Sequence, residues 1–360
     1  MNPTTPPLYE NIPLLNYVTM HLGGPARYMA EAHTAQDVAL LFQEAATKSL
    51  PTFILGGGSN VIPHDEGFAG LIIRIRIPGF EVIQDDVTST TIKIGAGENW
   101  DSVVERTVAM NLSGIEAMSA IPGTTGAAPV QNVGAYGQEI ADTLQSLEAY
   151  DTQTNSFVTL LAEDCEFGYR DSMFRNSQKG RYVITSITLT LSKSPPQPPF
   201  YDALQKYFEE RQTSFFTNKI VRDAVISIRV DKLPDPTVRP NTGSFFKNAL
   251  VEAWQVNDLR KTYPELPAYD MGNGTFKIPS GWLIEQAGLK GQLLHGMRVH
   301  DKNALVLINE SATSYGDLAA ARDEIIRKVR DVFRIEIEQE PLEITEEPVA
   351  TPDAPSPMIH

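Results

Sequence analysis

The chain of 360 residues contains a single cysteine, Cys165, which excludes an internal disulfide framework and a thiolate zinc or iron–sulfur cluster within one chain. No stretch approaches the run of about 18 apolar residues that a transmembrane helix needs. The start, MNPTTPPLYENIPLLNY, lacks the basic beginning and apolar run of a signal peptide, so a soluble, reducing, cytoplasmic setting is expected. Positive charge is scarce. Thirty Lys and Arg stand against 45 Asp and Glu, for a net charge of −15, which argues against nucleic acid and anionic membranes as partners. The six histidines are scattered without H-E-x-x-H or a comparable ligand spacing, so no metal site is expected. No G-x-S-x-G nucleophile elbow exists. Glu163, Asp164 and Glu166 surround Cys165 and would raise its thiol pKa, so it reads as a buried structural cysteine.

What is present suffices for a folded protein of about two or three domains. Hydrophobic residues make up 42% and charged residues 21%, enough for a real core. After Arg334 there is no Lys or Arg. The acids from Glu336 to Asp353 there carry −7, leaving −8 on residues 1–334. Thr34 can cap a helix whose apolar positions Val38, Leu41, Phe42 and Ala45 have helical spacing. Strand-like runs follow at Thr52, Leu71, Phe80 and Thr90, and later at Ser146, Ser156 and Tyr182. A Pro-rich linker near Ser192, a helical segment from Tyr201 to Arg229, and helices near 249–261, 280–288 and 314–332 complete the pattern. Helix and strand alternate over the first 115 residues, which points to a mixed α/β unit.

Three glycine-rich stretches invite a phosphate-bearing cofactor. Gly56-Gly-Gly-Ser-Asn60 follows a strand, Gly95-Ala-Gly97 ends another, and residues 114–137 are rich in small residues without a clean period. Glycines let backbone N–H groups approach a phosphate closely. Neither GGGSNV nor GAGENW completes a dinucleotide fingerprint, and no Lys-Ser/Thr follows to make a Walker A loop. The long irregular stretch suits a functional loop pressed against something large and flat.

Five stretches together resemble the flavoenzyme family of UDP-N-acetylenolpyruvoylglucosamine reductases. They are Ile54-Leu-Gly-Gly-Gly-Ser-Asn-Val-Ile; Gly114–Gly137 with Pro129-Val-Gln-Asn-Val-Gly-Ala-Tyr-Gly; Phe167-Gly-Tyr-Arg-Asp-Ser-Met-Phe; Lys232-Leu-Pro-Asp-Pro followed by Gly243-Ser-Phe-Phe-Lys-Asn; and Gly281-Trp-Leu-Ile-Glu-Gln with Ala304-Leu-Val-Leu-Ile-Asn. They span about residues 11–344 in the family's order, and two of them look like its longer subtype with an extra substrate-domain loop. The resemblance implies an α+β fold. It has two small FAD-binding α/β subdomains of the vanillyl-alcohol-oxidase-like (PCMH-type) fold, at 1–75 and 76–212, and an α+β substrate-binding domain at 213–335. Residues 336–345 would return to the active site and 346–360 would be a disordered acidic, Pro-rich tail.

The family's activity is reduction of UDP-N-acetylglucosamine enolpyruvate to UDP-N-acetylmuramate in peptidoglycan precursor synthesis, with NADPH as hydride donor. The resemblance gives FAD contacts to Gly56, Gly57, Gly58, Ser59, Asn60, Val61, Pro122, Gly123, Gly126, Ala127, Gln131, Asn132, Gly134, Ala135 and Tyr136. Neither glycine loop holds His or Cys, so FAD is expected to be non-covalent. Hydride transfer to the vinyl carbon calls for an enolate stabiliser and a proton donor. Arg170 suits the carboxylate, because a guanidinium stays charged. Ser244 would protonate the carbanion carbon; Thr242 stands nearby where alanine is usual. Glu340, matched to the family's terminal pattern, would help only when protonated, since a carboxylate beside a forming dianion repels it. Pro341 replaces an apolar residue, the basic residue that follows is missing, and Glu338 is the competing assignment. The resemblance implies substrate contacts at Tyr169, Tyr201, Arg229, Lys232, Lys247, Asn248 and Asn303, and a monomer. Another FAD-dependent oxidase of the same fold is the alternative.

Overall fold

The structure, a computed structural model, describes residues 4–345. The expected tail at 346–360 lies outside the described residues. The first sheet is built from β1 (Tyr9–Pro13), β2 (Pro25–Ala32), β3 (Thr52–Leu55) and, after the short β4 (Val61–Pro63), β5 (Phe68–Ile75), in the order β1-β2-β5-β3. β2 and β3 both run parallel to β5. The crossover helix α1 (Ala35–Thr47) starts where expected. Thr34 accepts from Asp37 N at 3.1 Å and Asp37 accepts from Thr34 N at 2.9 Å, a reciprocal cap.

The second sheet is antiparallel. It comprises β6 (Phe80–Asp85), β7 (Ser89–Gly95), then, past the small hairpin β8 (Gly134–Ala135) and β9 (Gln138–Glu139), β10 (Leu144–Asp151), β11 (Ser156–Leu161) and β12 (Tyr182–Ser192). Its order is β11-β10-β12-β7-β6, and helix α2 (Trp100–Ala109) packs on it. The two sheets and both helices bury one continuous apolar core, with Ile73, Ile94, Trp100, Val104 and Ile187 closed off from water. Cys165 is buried in this core, and burial pushes its thiol up to about 12, well away from nucleophile chemistry. The irregular stretch at 114–137 forms three single turns at Glu116–Met118, Thr125–Ala127 and Pro129–Gln131, not a core element.

β10 ends in a charged contact. Asp151 accepts from Arg181 Nε at 3.1 Å and Nη2 at 2.8 Å, and this pairing holds its carboxyl down to about 2. A carboxyl lowered in the folded state adds stability above its ordinary range near pH ~4 and gives it up as pH falls toward the folded value. Asp151→Asn should cost about 1.5–3 kcal/mol in denaturant unfolding at pH 7, and its deficit should shrink as pH falls below that range.

The third region begins with α3 (Asp202–Glu210) and α4 (Asn218–Lys232), which bury Leu204, Phe208, Val221 and Val225 against each other and Ala117. Beyond them come β13 (Asn241–Ser244), β14 (Ala249–Glu252), α5 (Ala253–Thr262), β15 (Tyr269–Asp270), β16 (Thr275–Ile278), α6 (Ser280–Gln286), β17 (Leu293–Leu294), β18 (Met297–Val299), β19 (Val306–Asn309) and α7 (Tyr315–Phe333). The helix expected from 249 starts only at Ala253. Ala249 and Val251 are buried while Leu250 and Glu252 are exposed, a period of two that pairs β14 with β16. α7 supplies Leu318, Ala321, Ile325 and Val329, a helical stripe, to a core that also takes Met20, Leu22 and Ile62 from the start of the chain.

After α7 the chain turns back. Lys247 N donates to Glu338 O, Glu340 N to Phe245 O and Leu342 N to Asn60 O, each at 2.9–3.0 Å. The last strand, β20 (Leu342–Ile344), then lies parallel to β4. Residues 338–345 thus tie the β13–β14 region to the first glycine loop.

Candidate functional site

A cavity of about 550 Å³ opens between the two N-terminal sheets. Gly56–Val61 form one wall, and Pro122, Gly123, Gly126, Ala127 and Gln131 another; Leu342, Glu343 and Thr345 come in from the C-terminal segment. The glycines are needed for the two loops to meet. A Cβ on Gly57 would stand 2.9 Å from Gly123 Cα, and one on Gly56 would stand 2.5 Å from Thr124 Oγ1. Gly58 has φ +69° and would push a Cβ to 1.9 Å from Tyr17 O. Ser59 Oγ donates to Pro122 O at 3.1 Å, and Asn60 Nδ2 donates to Gln131 Oε1. This is a backbone-lined cradle of the kind that holds a diphosphate, with apolar walls at Phe42, Trp100 and Val130 for a ring system. Among the described residues, no His or Cys lines the cavity.

Four residues expected to touch the cofactor lie outside that wall. Asn132, buried with φ +45°, donates to Glu139 Oε2 at 2.7 Å and Gly168 O at 3.0 Å, locking the β8–β9 hairpin to the Arg170 turn. Gly134 and Ala135 form that hairpin. Gly134 O accepts from Arg170 Nη2 at 2.6 Å, and a side chain on Gly134 would reach within 3.3 Å of Arg170 Nη1. Tyr136 meets Tyr201 edge-on at 6.2 Å, and both line a second cavity of about 370 Å³.

Arg170 sits at φ +53°, in the left-handed region, within a turn closed by mutual Gly168–Asp171 backbone bonds. Its Nε lies 3.7 Å from Glu340 Oε1. The side chain of Glu340 is 12% exposed and that of Glu338 75%, and Glu338 pairs instead with Lys247 at 3.4 Å. Burial pushes the Glu340 carboxyl up, against the pull of Arg170, Arg175 and Lys247. Ser244 precedes Phe245, the residue whose carbonyl holds Glu340 N, so serine and acid ride on adjoining backbone. Gly243 before it has φ +72°. The Thr242 hydroxyl is buried and has no hydrogen-bond partner among the described residues.

Asn248 Nδ2 donates to the Tyr169 hydroxyl at 2.9 Å, and Ser280 N donates back to Asn248 Oδ1 at 3.2 Å. Arg229 is half-buried, with Tyr136 and Asp101 among the groups acting on it; partial burial pulls its pKa down. Asn303 Oδ1 accepts from Leu305 N, which spends its carbonyl on its own turn at the start of β19. Lys232 is exposed and makes no ion pair among the described residues. Of the three cations expected to bind substrate, Arg229, Lys232 and Lys247, only Lys247 pairs with the Glu338–Glu340 segment among the described residues.

Two cations escaped the sequence reading. Arg175 lines the large cavity and donates to Glu340 O at 3.0 Å and Gln131 Oε1 at 3.3 Å. It follows Arg170 by five residues and directly follows the Phe167–Phe174 motif, which was the available signal. Lys277 approaches the Tyr169 and Tyr269 rings. Glu343 was read only as part of the acidic run. It is bonded to His64 at 2.9 Å, Tyr315 at 2.9 Å and Arg322 at 2.7 Å, which neutralises an acid on the cavity wall. No group of three or more His, Cys, Asp or Glu able to hold a metal exists among the described residues, and no described helix is long and apolar enough to cross a membrane.

A glycine-walled cleft between two α/β sheets defines a nucleotide-cofactor protein, and residues 26–160 match the FAD binding domain model; the chain is an FAD-binding oxidoreductase of α+β fold. Residues 235–344 match the C-terminal domain of UDP-N-acetylenolpyruvoylglucosamine reductase. The protein of that name from Ralstonia nicotianae is 40% identical over 94% of this chain and 99% of its own length. Its counterpart from Dechloromonas aromatica is 39% identical over 95% and 99%. The chain belongs to the UDP-N-acetylenolpyruvoylglucosamine reductase family. The solved reductase from Thermus caldophilus superposes with a TM-score of 0.66 over 94% of this chain and all of that one, at 22% identity, so the fold is shared.

Proposed function

We propose that the chain reduces UDP-N-acetylglucosamine enolpyruvate to UDP-N-acetylmuramate, with NADPH as hydride source and non-covalent FAD, in peptidoglycan precursor synthesis. The observation that carries this reading is the Arg170–Glu340 pair, a fixed cation beside a buried carboxyl whose pKa is raised. Gly56–Val61, Pro122, Gly123, Gly126, Ala127 and Gln131 would hold the cofactor. When bound, FAD supplies a hydride, taken from NADPH, to the terminal vinyl carbon.

The protein's side chains do the rest. Arg170 receives the substrate carboxylate and stabilises the charge that spreads into it. Glu340 is a useful neighbour only as the neutral acid, which donates a hydrogen bond where a carboxylate would repel. Ser244 gives its proton to the carbon next to the carboxylate, so the double bond gains a hydride at one end and a proton at the other. Arg229, Lys232, Lys247, Asn248 and Asn303, in a substrate region at 213–335, bind the nucleotide sugar together with Tyr169 and Tyr201 from the preceding region, and the returning segment 336–345 joins them.

The test is anaerobic. NADPH should bleach the flavin absorbance of the FAD-loaded protein, and UDP-N-acetylglucosamine enolpyruvate should restore it with one lactyl ether formed per flavin. No flavin bands after FAD addition would end this reading. Recovery by oxygen alone, with the enolpyruvyl ether inert, would favour an oxidase of the same fold.

A further inference from the structure

The loop that carries Ile121–Thr124 into the large cavity is held from outside it. Ala120, just before it, sits at φ +58°, a left-handed conformation that a residue other than glycine keeps only where its surroundings fix it. Three bonds tie this stretch to the first turn of α2. Trp100 Nε1 donates to Met118 O at 3.1 Å, Ala120 N to Asp101 Oδ1 at 2.6 Å, and Trp100 N to Gly123 O at 3.1 Å. The middle bond depends on where the Asp101 carboxylate points. That carboxylate is partly exposed, and water competes for it. Arg222 of α4 fixes its direction: Nη1 donates to Oδ1 at 2.6 Å and Nη2 to Oδ2 at 3.0 Å. The Arg222 side chain is 9% exposed and has no other ion-pair partner among the described residues. α4 itself is firmly seated, since Val221, Ala224 and Val225 are buried in one cluster with Ala117, at the head of the same stretch.

Small displacements of this loop matter. Gly57 leaves no room for a Cβ against Gly123, and Gly56 none against Thr124 Oγ1. The two glycine loops meet with less than a methyl group to spare, so a shift of either reshapes the cradle. We propose that Arg222 is a positioning residue for the cofactor: by fixing Asp101 it holds Ala120 in its left-handed turn, and so sets the Ile121–Thr124 wall of the FAD cavity. This rests on the assignment of that cavity to FAD. A plain tether between α2 and α4 would also use the Arg222–Asp101 pair, but it would not act through Ala120.

The experiment dilutes the full-length FAD-loaded protein and follows FAD release by the rise of flavin fluorescence. Arg222→Gln and Asp101→Asn should each speed release by about tenfold or more, the range for losing a charged hydrogen bond. The double variant should be no faster than the worse single one, because both break one contact. Arg222→Lys keeps the charge but not the two-pronged geometry; it should fall in between, and it is the variant to read if the glutamine prevents folding. The sharpest comparison adds Ala120→Gly to Arg222→Gln. Glycine holds a positive φ without help, so release should slow again toward the wild-type rate. Wild-type release in the Arg222 variants, or no rescue by Ala120→Gly, would overturn the proposal; a mere tether would show a lowered unfolding midpoint with FAD release unchanged. Gly57→Val tests the cavity assignment separately. If it retains FAD, the cavity is not the FAD site; if it loses FAD while the Arg222 variants do not, only the role of Arg222 falls.

Discussion

Glu340→Ala should lower turnover by about 10²–10³-fold, the range for removing one donor that stabilises a developing anion. Glu338→Gln should stay within about fivefold, because its exposed pairing with Lys247 is worth little. Glu340→Gln discriminates further. An amide can still donate a hydrogen bond but cannot ionise. The wild type should lose turnover as pH rises through the raised Glu340 value, since the acid then becomes a carboxylate beside the forming dianion. In Glu340→Gln that alkaline loss should be absent, although the rate is reduced. The measurement is kcat against pH for all four proteins. An inactive Glu338→Gln with an active Glu340→Ala would reverse the assignment.

Ser244→Ala should behave differently. FAD retention and anaerobic flavin reduction by NADPH should match the wild type, because Ser244 is not on the wall of the cavity proposed to hold FAD. Turnover with the enolpyruvyl substrate should fall by about 10²–10⁴-fold, the usual contribution of a positioned acid. Stopped-flow absorbance separates the two half-reactions. Normal reoxidation by substrate in Ser244→Ala would remove the serine from the mechanism. Ser244→Thr, which keeps a hydroxyl, should recover part of the rate if the buried Thr242 side chain leaves room for another methyl.

Much of the N-terminal fold was legible, and for a local reason. Thr34 with Asp37, the apolar run at Leu71–Ile75 and the alternation at Thr90–Ile94 state their structure within a few residues. Gly56–Gly58 announce a close approach, though not that the approaching chain is Gly123–Thr124. Sequence spacing alone left Glu338 and Glu340 as rivals. Their difference in burial arises from the bonds of 338 and 340 to Lys247 and Phe245, nearly a hundred residues earlier. Lys277 was illegible because Thr275-Phe-Lys-Ile looks like any strand; its meaning lies in two tyrosines from distant segments. The resemblance names Asn132, Gly134 and Ala135 as cofactor contacts; in the structure Asn132 and Gly134 are bonded to the Gly168–Arg170 turn, and none of the three lines the large cavity.

The parallel pairing of β20 with β4 bears on how the protein is made. His64 and Glu343, bonded across that pairing, are separated by 279 positions. Loop-closure entropy delays a contact of such long range, and domains emerging from the ribosome fold in order from the N-terminus. Both sheets that flank the cofactor cleft can therefore form on a nascent chain while one side of the cleft is still missing. Glu340 enters in the same step that completes the wall. A half-synthesised molecule accordingly has the means to begin gripping its cofactor but not the acid proposed to act on the substrate, and the site is completed only when the chain closes on itself.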